Sequence, residues 1–324
     1  MNNMNMIVLV KYARVPLELN KEGVTEVAIL TDTGRDPAII EALAAAAYEM
    51  GLEPTIVTMV TRPVHGLEPT KVMSQAVLGS QLMLFACSTG MAHTDCVRNA
   101  LKLGKKYVGL PEITIDTLTQ GAATADYKEV GRITAQVAKI LTGGSEVHIV
   151  SDYGTDLMFS ISGRKAVELA GVFKSGSLAC FPDGEAPMAP VEGTAKGKLV
   201  IDSSLHQIGR VKEPVTMTVE SGFVTKMEGG QEADILLGIL KKHGDPNSLN
   251  IGEFAVGTNP QARISNNVSE DKKRLGSIHI ALGDNLTLGG RTRSATHIDG
   301  VMGSPSLWVD KKQIIDHGKL LVSY

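Results

Sequence analysis

Apolar positions in the first 140 residues fall into short continuous runs separated by longer mixed stretches. Val27-Ala28-Ile29-Leu30-Thr31 and Leu82-Met83-Leu84-Phe85-Ala86 are almost wholly apolar, and 55–60 and 107–110 are shorter or more mixed runs of the same kind. Runs this short, bounded by turn residues, predict strands, and 27–31 reads as a buried one. Between them the pattern predicts helices at 36–50, 69–77 and 94–103, followed by a long one at 126–141. The first of these has Pro37 just inside its start and Gly51 just past its end, the expected asymmetry of a capped helix. Strands separated by helix-length segments imply parallel neighbours, because parallel pairing needs such crossovers. The expected fold class is therefore α/β, with an N-terminal doubly wound parallel sheet. No GxGxxG or GxxxxGK[ST] follows a strand, so no cofactor phosphate site is indicated.

Around Thr142-Gly143-Gly144 the pattern changes. Short β-rich pieces follow at 148–150, 157–161, 198–201, 215–219, 254–257 and 278–282, separated by turns such as Pro182-Asp183-Gly184 and Asp245-Pro246-Asn247. One helix is expected within them, at 231–242. This texture predicts two domains, an α/β domain at 1–150 and a strand-rich α+β domain at 151–324, with the boundary near residues 143 to 170.

Composition narrows the function classes. Aromatic residues make up only 4% of the 324 residues, which argues against a surface that stacks bases, and the net charge of −3 shows no basic excess for tracking phosphates. A nucleic-acid partner is not expected. Neither is a membrane partner, since no stretch approaches the ~20 apolar residues that span a bilayer. The opening MNNMNMIVLVKYARV lacks the basic region and cleavage site of a signal peptide. Cys87, Cys96 and Cys180 form no CxxC pair, which suits a reducing compartment, and a cytoplasmic protein is the expectation.

Candidate chemistry lies in the second half. His297-Ile298-Asp299 puts an imidazole and a carboxylate two residues apart, so an extended chain projects both from one face and one metal ion could take both. His279 alternates with apolar residues in Ser277-Ile278-His279-Ile280-Ala281-Leu282. Glu185 follows a Pro-Asp-Gly turn, and Glu253 enters an apolar strand beside Gly252. A carboxylate heading a buried strand needs a partner to offset its desolvation. A divalent cation and a salt bridge would both serve, and a histidine on such a strand can equally be a hydrogen-bonded structural residue.

The motifs SDYGTDLMFSISGR at 151–164, FPDGEAPMAPVEGTAKG at 181–197, NIGEFAVGTNP at 250–260, SIHIALGD at 277–284 and SATHIDGVMGSP at 294–305 resemble the aminopeptidase T family of thermophilic metallopeptidases. That resemblance implies metal ligation by Glu185, Glu253, His279, His297 and Asp299. It also implies two divalent ions per chain, zinc, manganese or cobalt, activating water against an amide or peptide-like bond. The chain's length, EGTAKGKLVIDSS, ESGFVTKMEGGQEAD at 220–234 and Gly289-Gly290-Arg291 look more like a second branch, the 2,5-dihydroxypyridine 5,6-dioxygenases, which use one Fe(II) to open a pyridine ring. In that branch a histidine matching His93 is proposed as catalytic base. Three departures stand out: the dioxygenases look to have a histidine where this chain has Glu253 and a serine where it has His279, while the peptidases have a tyrosine where it has Leu286.

The expected activity is metal-dependent hydrolysis of a small amide-like substrate, with oxygenolytic ring cleavage as the alternative. Glu185, Glu253 and His93 are the candidate proton shuttles. Arg291 and Arg293 can bind a substrate carboxylate through a planar fork or stand as solvated turn residues. Both families imply a homo-oligomer, and the scarcity of aromatic residues with the absence of long inserted segments argues for a small-molecule substrate.

Overall fold

The computed structural model describes residues 3–63, 66–92, 94–174 and 178–323. The chain divides into two compact units: Met1–Ala125 with Leu169–Asp183, and Asp126–Glu168 with Gly184–Tyr324. The helix Tyr127–Gly143, whose pattern continues the alternation of the first half, thus helps build the second unit, and the short strand Ala179–Cys180 helps build the first.

The first unit is the expected doubly wound sheet. Five strands, all parallel, run in the order Glu53–Met59, Glu26–Asp32, Leu82–Ala86, Lys106–Gly109, Ala179–Cys180. Ala28, Leu30, Met83 and Phe85 pack on one face against Met73, Val77, Val97 and Ala100 of two helices. Val27, Ile29, Leu82 and Leu84, pointing the other way, are buried too. Burial on both faces is why these strands read as unbroken apolar runs. Each crossover helix starts on a side-chain cap: Asp36, Thr70 and Thr94 accept from the backbone N–H of Ala38, Met73 and Val97. A cap of this kind stabilises a helix by about 1 kcal/mol. The N-terminal apolar run forms the helix Asn3–Glu18, burying Leu9, Ala13 and Leu17. No described helix is long and apolar enough to cross a membrane.

The second unit holds two antiparallel sheets. An eight-stranded sheet runs Phe223–Glu228, Val215–Glu220, Lys196–Ile201, Asp156–Ser160, Glu146–Val150, Ser306–Val309, Lys312–Asp316, Lys319–Leu320. A six-stranded sheet runs Gly209–Arg210, Ser204–Leu205, His297–Met302, Ile278–Gly283, Ile251–Gly257, Glu185–Met188. Leu199, Ile201 and Met217 of the first share a core with Ile280, Leu282 and Ile298 of the second and with Leu236 and Leu240 of the helix Gln231–His243. With period-2 alternation, burying those positions sends His279, His297 and Asp299 to the opposite face of the six-stranded sheet.

Candidate metal centre

Pleat and register gather the five predicted ligands on that face. Across four neighbouring strands Glu185 lies opposite Gly257, Ala255 opposite His279, Glu253 and Asp299 on either side of Ala281, and His297 opposite Gly283. Each long polar side chain therefore has a glycine or alanine beside it, which leaves room for the five to lean together. Glu253 reaches this face through a β-bulge between Ile251 and Glu253. Ile251 and Phe254 both belong to the core, and strict alternation from Ile251 would put Glu253 in the core as well. The extra residue of the bulge resets the phase. Gly252 is required there: a Cβ would come within 2.7 Å of the Gly283 carbonyl oxygen and 3.1 Å of that of Asp284.

Glu253, His297 and Asp299 offer one ligand atom each within 4.8 Å of one another. His297 Nε2 stands 2.8 Å from Glu253 Oε2 and 3.2 Å from Asp299 Oδ1. Its Nδ1–H donates to the Asp284 carbonyl at 2.9 Å. A ring tied through Nδ1 to a backbone carbonyl, with Nε2 aimed at carboxylates, has the orientation of a metal-ligating histidine. Asp299 Oδ1 is buried without a well-directed hydrogen bond among the described residues. One imidazole nitrogen and carboxylate oxygens around a common point fit a divalent cation. Glu185 and His279 stand alongside: His279 Nε2–H donates to Glu253 Oε1 at 3.1 Å and lies 3.7 Å from Glu185 Oε2.

Three groups that sequence reasoning missed complete the cluster. Lys272 Nζ is 2.7 Å from Asp299 Oδ2 and 3.8 Å from Glu185 Oε1, Lys273 Nζ pairs with the same Glu185 oxygen, and His206 Nδ1 is 3.4 Å from Asp299 Oδ2. The lysines follow the short helix Val268–Asp271, in a segment that passes directly over the Glu253 strand. A Cβ on Gly257 would collide with the Arg274 carbonyl oxygen at 2.1 Å and approach that of Lys272 at 2.9 Å, so the close crossing depends on glycine. Glu-Asp-Lys-Lys-Arg at 270–274 reads as a solvated charge run, and only its position next to a buried strand could have hinted otherwise.

The electrostatics are those of a dense, water-poor site. Burial alone would push the Glu253 carboxyl up, but the His279 and His297 imidazoles hold it well below the usual range. Burial acts on Asp299 in the same way and is overcome by Lys272, His206 and His297. Conversely, burial would lower His297 and Lys272, yet the surrounding carboxylates hold both well above their ordinary values. Charged ammonium and imidazolium groups thus stand where the carboxylates need positive charge.

Arg291 and Arg293 are exposed on the loop that leads to His297. The Arg291 N–H donates to Glu192 Oε1 and the Arg293 carbonyl accepts from Asn247 Nδ2. His93 lies outside the described residues.

The chain matches the family described as 2,5-dihydroxypyridine 5,6-dioxygenase (NicX) over residues 12–322 and belongs to that family. It is similar to the 2,5-dihydroxypyridine 5,6-dioxygenase of Pseudomonas putida, with 25% identity over 195 residues, covering 56% of this chain and 56% of that relative. The chain thus spans about half the length of its curated relative in that match. Among solved structures, its fold is similar to that of the 2,5-dihydroxypyridine dioxygenase from Pseudomonas putida KT2440, with a TM-score of 0.80, 20% identity and 97% of each chain covered. It is also similar to that of AmpT from Thermus thermophilus, with a TM-score of 0.67, 15% identity and 98% and 99% covered. Both resemblances in the sequence therefore stand at the level of the fold, and the family match ranks the dioxygenase branch above the hydrolase expected first.

Proposed function

We propose that this chain is a ring-opening dioxygenase acting on a small dihydroxypyridine-type heteroaromatic, with one divalent ion, Fe(II), held by Glu253, His297 and Asp299. The observation that carries this reading is the cluster of those three side chains in a chain matched by the dioxygenase family over nearly its whole length. Bound there, Fe(II) would supply the coordination sites for the ring's oxygen substituent and for O2, and the electrons that activate O2. The remaining work falls to this chain's own groups. The Asp284 carbonyl keeps His297 turned inward, His279 orients Glu253, and Lys272 orients Asp299. His297, Lys272 and His206 are the partly exposed members of a cluster whose other residues are buried, so substrate reaches the ion past them. The set has one carboxylate in place of a histidine relative to the two-histidine, one-carboxylate triad, and the Lys272 ammonium on Asp299 offsets that additional charge.

Hydrolysis of a small amide by a metal-activated water is the second reading. It is favoured by the position of His279 Nε2 between Glu253 and Glu185, which extends the donor set beyond the triad. An oxygen electrode separates the two. Iron-loaded protein given 2,5-dihydroxypyridine is expected to consume O2 as the ring absorbance disappears. Turnover of an amide substrate without oxygen, together with no O2 uptake on the pyridine, would replace this reading with hydrolysis.

A further inference from the structure

Three carboxylates, Glu185, Glu253 and Asp299, meet two lysine ammoniums in this cluster, and two ammoniums carry the charge of one divalent ion. From this we infer that Lys272 and Lys273 act as a built-in second cation, restricting the centre to a single metal ion although it holds ligand types enough for two. The inference rests on the proposed metal triad.

The geometry is specific about where the exclusion occurs. A second ion would bind between Glu185 and His279, next to the triad. There Glu185 Oε1 is already taken by Lys273 and faces Lys272 at 3.8 Å, while Oε2 has His279 Nε2 at 3.7 Å and no hydrogen bond among the described residues. Lys273 cannot easily withdraw. Its side chain is 2% exposed, its N–H donates to the Glu270 carbonyl at 2.9 Å, and its carbonyl accepts from Asn259 N–H at 2.9 Å. Lys272 is anchored likewise, its N–H donating to Val268 and its carbonyl accepting from the Ser277 hydroxyl. An ion entering beside a fixed ammonium would meet like charge at close range in a site with little water to screen it. Without the lysines, the three carboxylates would suit a pair of divalent ions, the arrangement that bridged two-metal sites use.

The test is a count of ions on the full chain. Metal-free protein is titrated with Mn2+, following heat by calorimetry and the spectrum by electron paramagnetic resonance. Wild type is expected to take up one Mn2+ per chain with an uncoupled six-line signal. Lys273→Met, which keeps the length of the side chain and drops its charge, is expected to take up two, with the signal broadened by spin coupling, and Lys273→Arg is expected to stay at one. If Lys273→Met unfolds without metal, Mn2+ is expected to restore it with two ions bound. Lys272→Met, which also leaves Glu185 with one ammonium, carries the same expectation. Two ions in the wild type, or one ion in folded Lys273→Met and Lys272→Met alike, would overturn the inference. The count does not depend on which reaction the enzyme performs: one ion in the wild type and two in the variants would sustain the role of the lysines even if 2,5-dihydroxypyridine consumed no oxygen.

Discussion

Each carboxylate in the cluster is buried and each has positive charge beside it, since an uncompensated buried anion would be strongly destabilising. In the metal-free chain that compensation comes partly from protons, and this makes stability depend on pH. Glu253 and Asp299 are held below their ordinary values of 4.5 and 3.8, so their contribution is full above those values and is lost as pH falls through the lower, folded values. His297 is held above its ordinary 6.5, so its contribution is full below 6.5 and is lost as pH rises through the higher, folded value. Between about pH 4.5 and 6.5 all three contributions are present. A bound ion takes the place of the Nε2 proton, so metal-loaded protein is expected to keep its melting temperature from pH 6.5 to 9 while metal-free protein loses stability over that range. Parallel decline of the two forms would show that His297 is not at the metal. At the same scale, Asp299→Asn removes the charge that Lys272 and the ion both use, and metal content after dialysis is expected to fall at least tenfold. Full retention would remove Asp299 from the ligand set. The ligand candidates were legible because local motifs carry a family resemblance. The lysines were not, because a charge run looks the same in sequence whether water or a carboxylate cluster receives it.

The elements show why spacing alone could not place Glu253. Strand positions such as Leu82–Ala86 and the Asp36 cap follow from short-range rules, and the parallel sheet of the first unit follows from the alternation of strands and helices. A bulge leaves a weaker trace: Gly252 beside Glu253 is visible, but which residue it moves to which face depends on pairing with a strand almost thirty residues away. Gly252→Ala is therefore an informative variant. The added methyl has no space against the Gly283 and Asp284 carbonyls, and overpacking of this kind costs about 1–3 kcal/mol. Thermal unfolding should reveal that loss, and metal content should fall with it, because Glu253 shifts as the bulge relaxes. A variant with unchanged melting temperature and full metal would mean that the bulge does not position the carboxylate.

Over the whole molecule, the chain passes between its two units near residues 125, 168 and 183. Those crossings leave no change of composition at 125, and Leu169–Asp183 joins the first unit through the strand pair of Lys106–Gly109 with Ala179–Cys180 and through Asn20, whose side chain donates to the Gly171 carbonyl and accepts from the Phe173 N–H. Such a pairing is set by the tertiary assembly and has no local signature. Function divides in a similar way. The fold is similar to those of the pyridine dioxygenase and of AmpT, and Glu253 and His279, where the sequence departs from what the dioxygenase resemblance implies, lie within the cluster. The position of the ion therefore decides most. Crystals of the metal-loaded protein, measured at the iron absorption edge, should show one anomalous peak within bonding distance of the Glu253 carboxylate, His297 Nε2 and the Asp299 carboxylate. A peak elsewhere, with those three side chains still held by one another and by Lys272, His206 and His279, would contradict the assignment of this cluster as the metal centre.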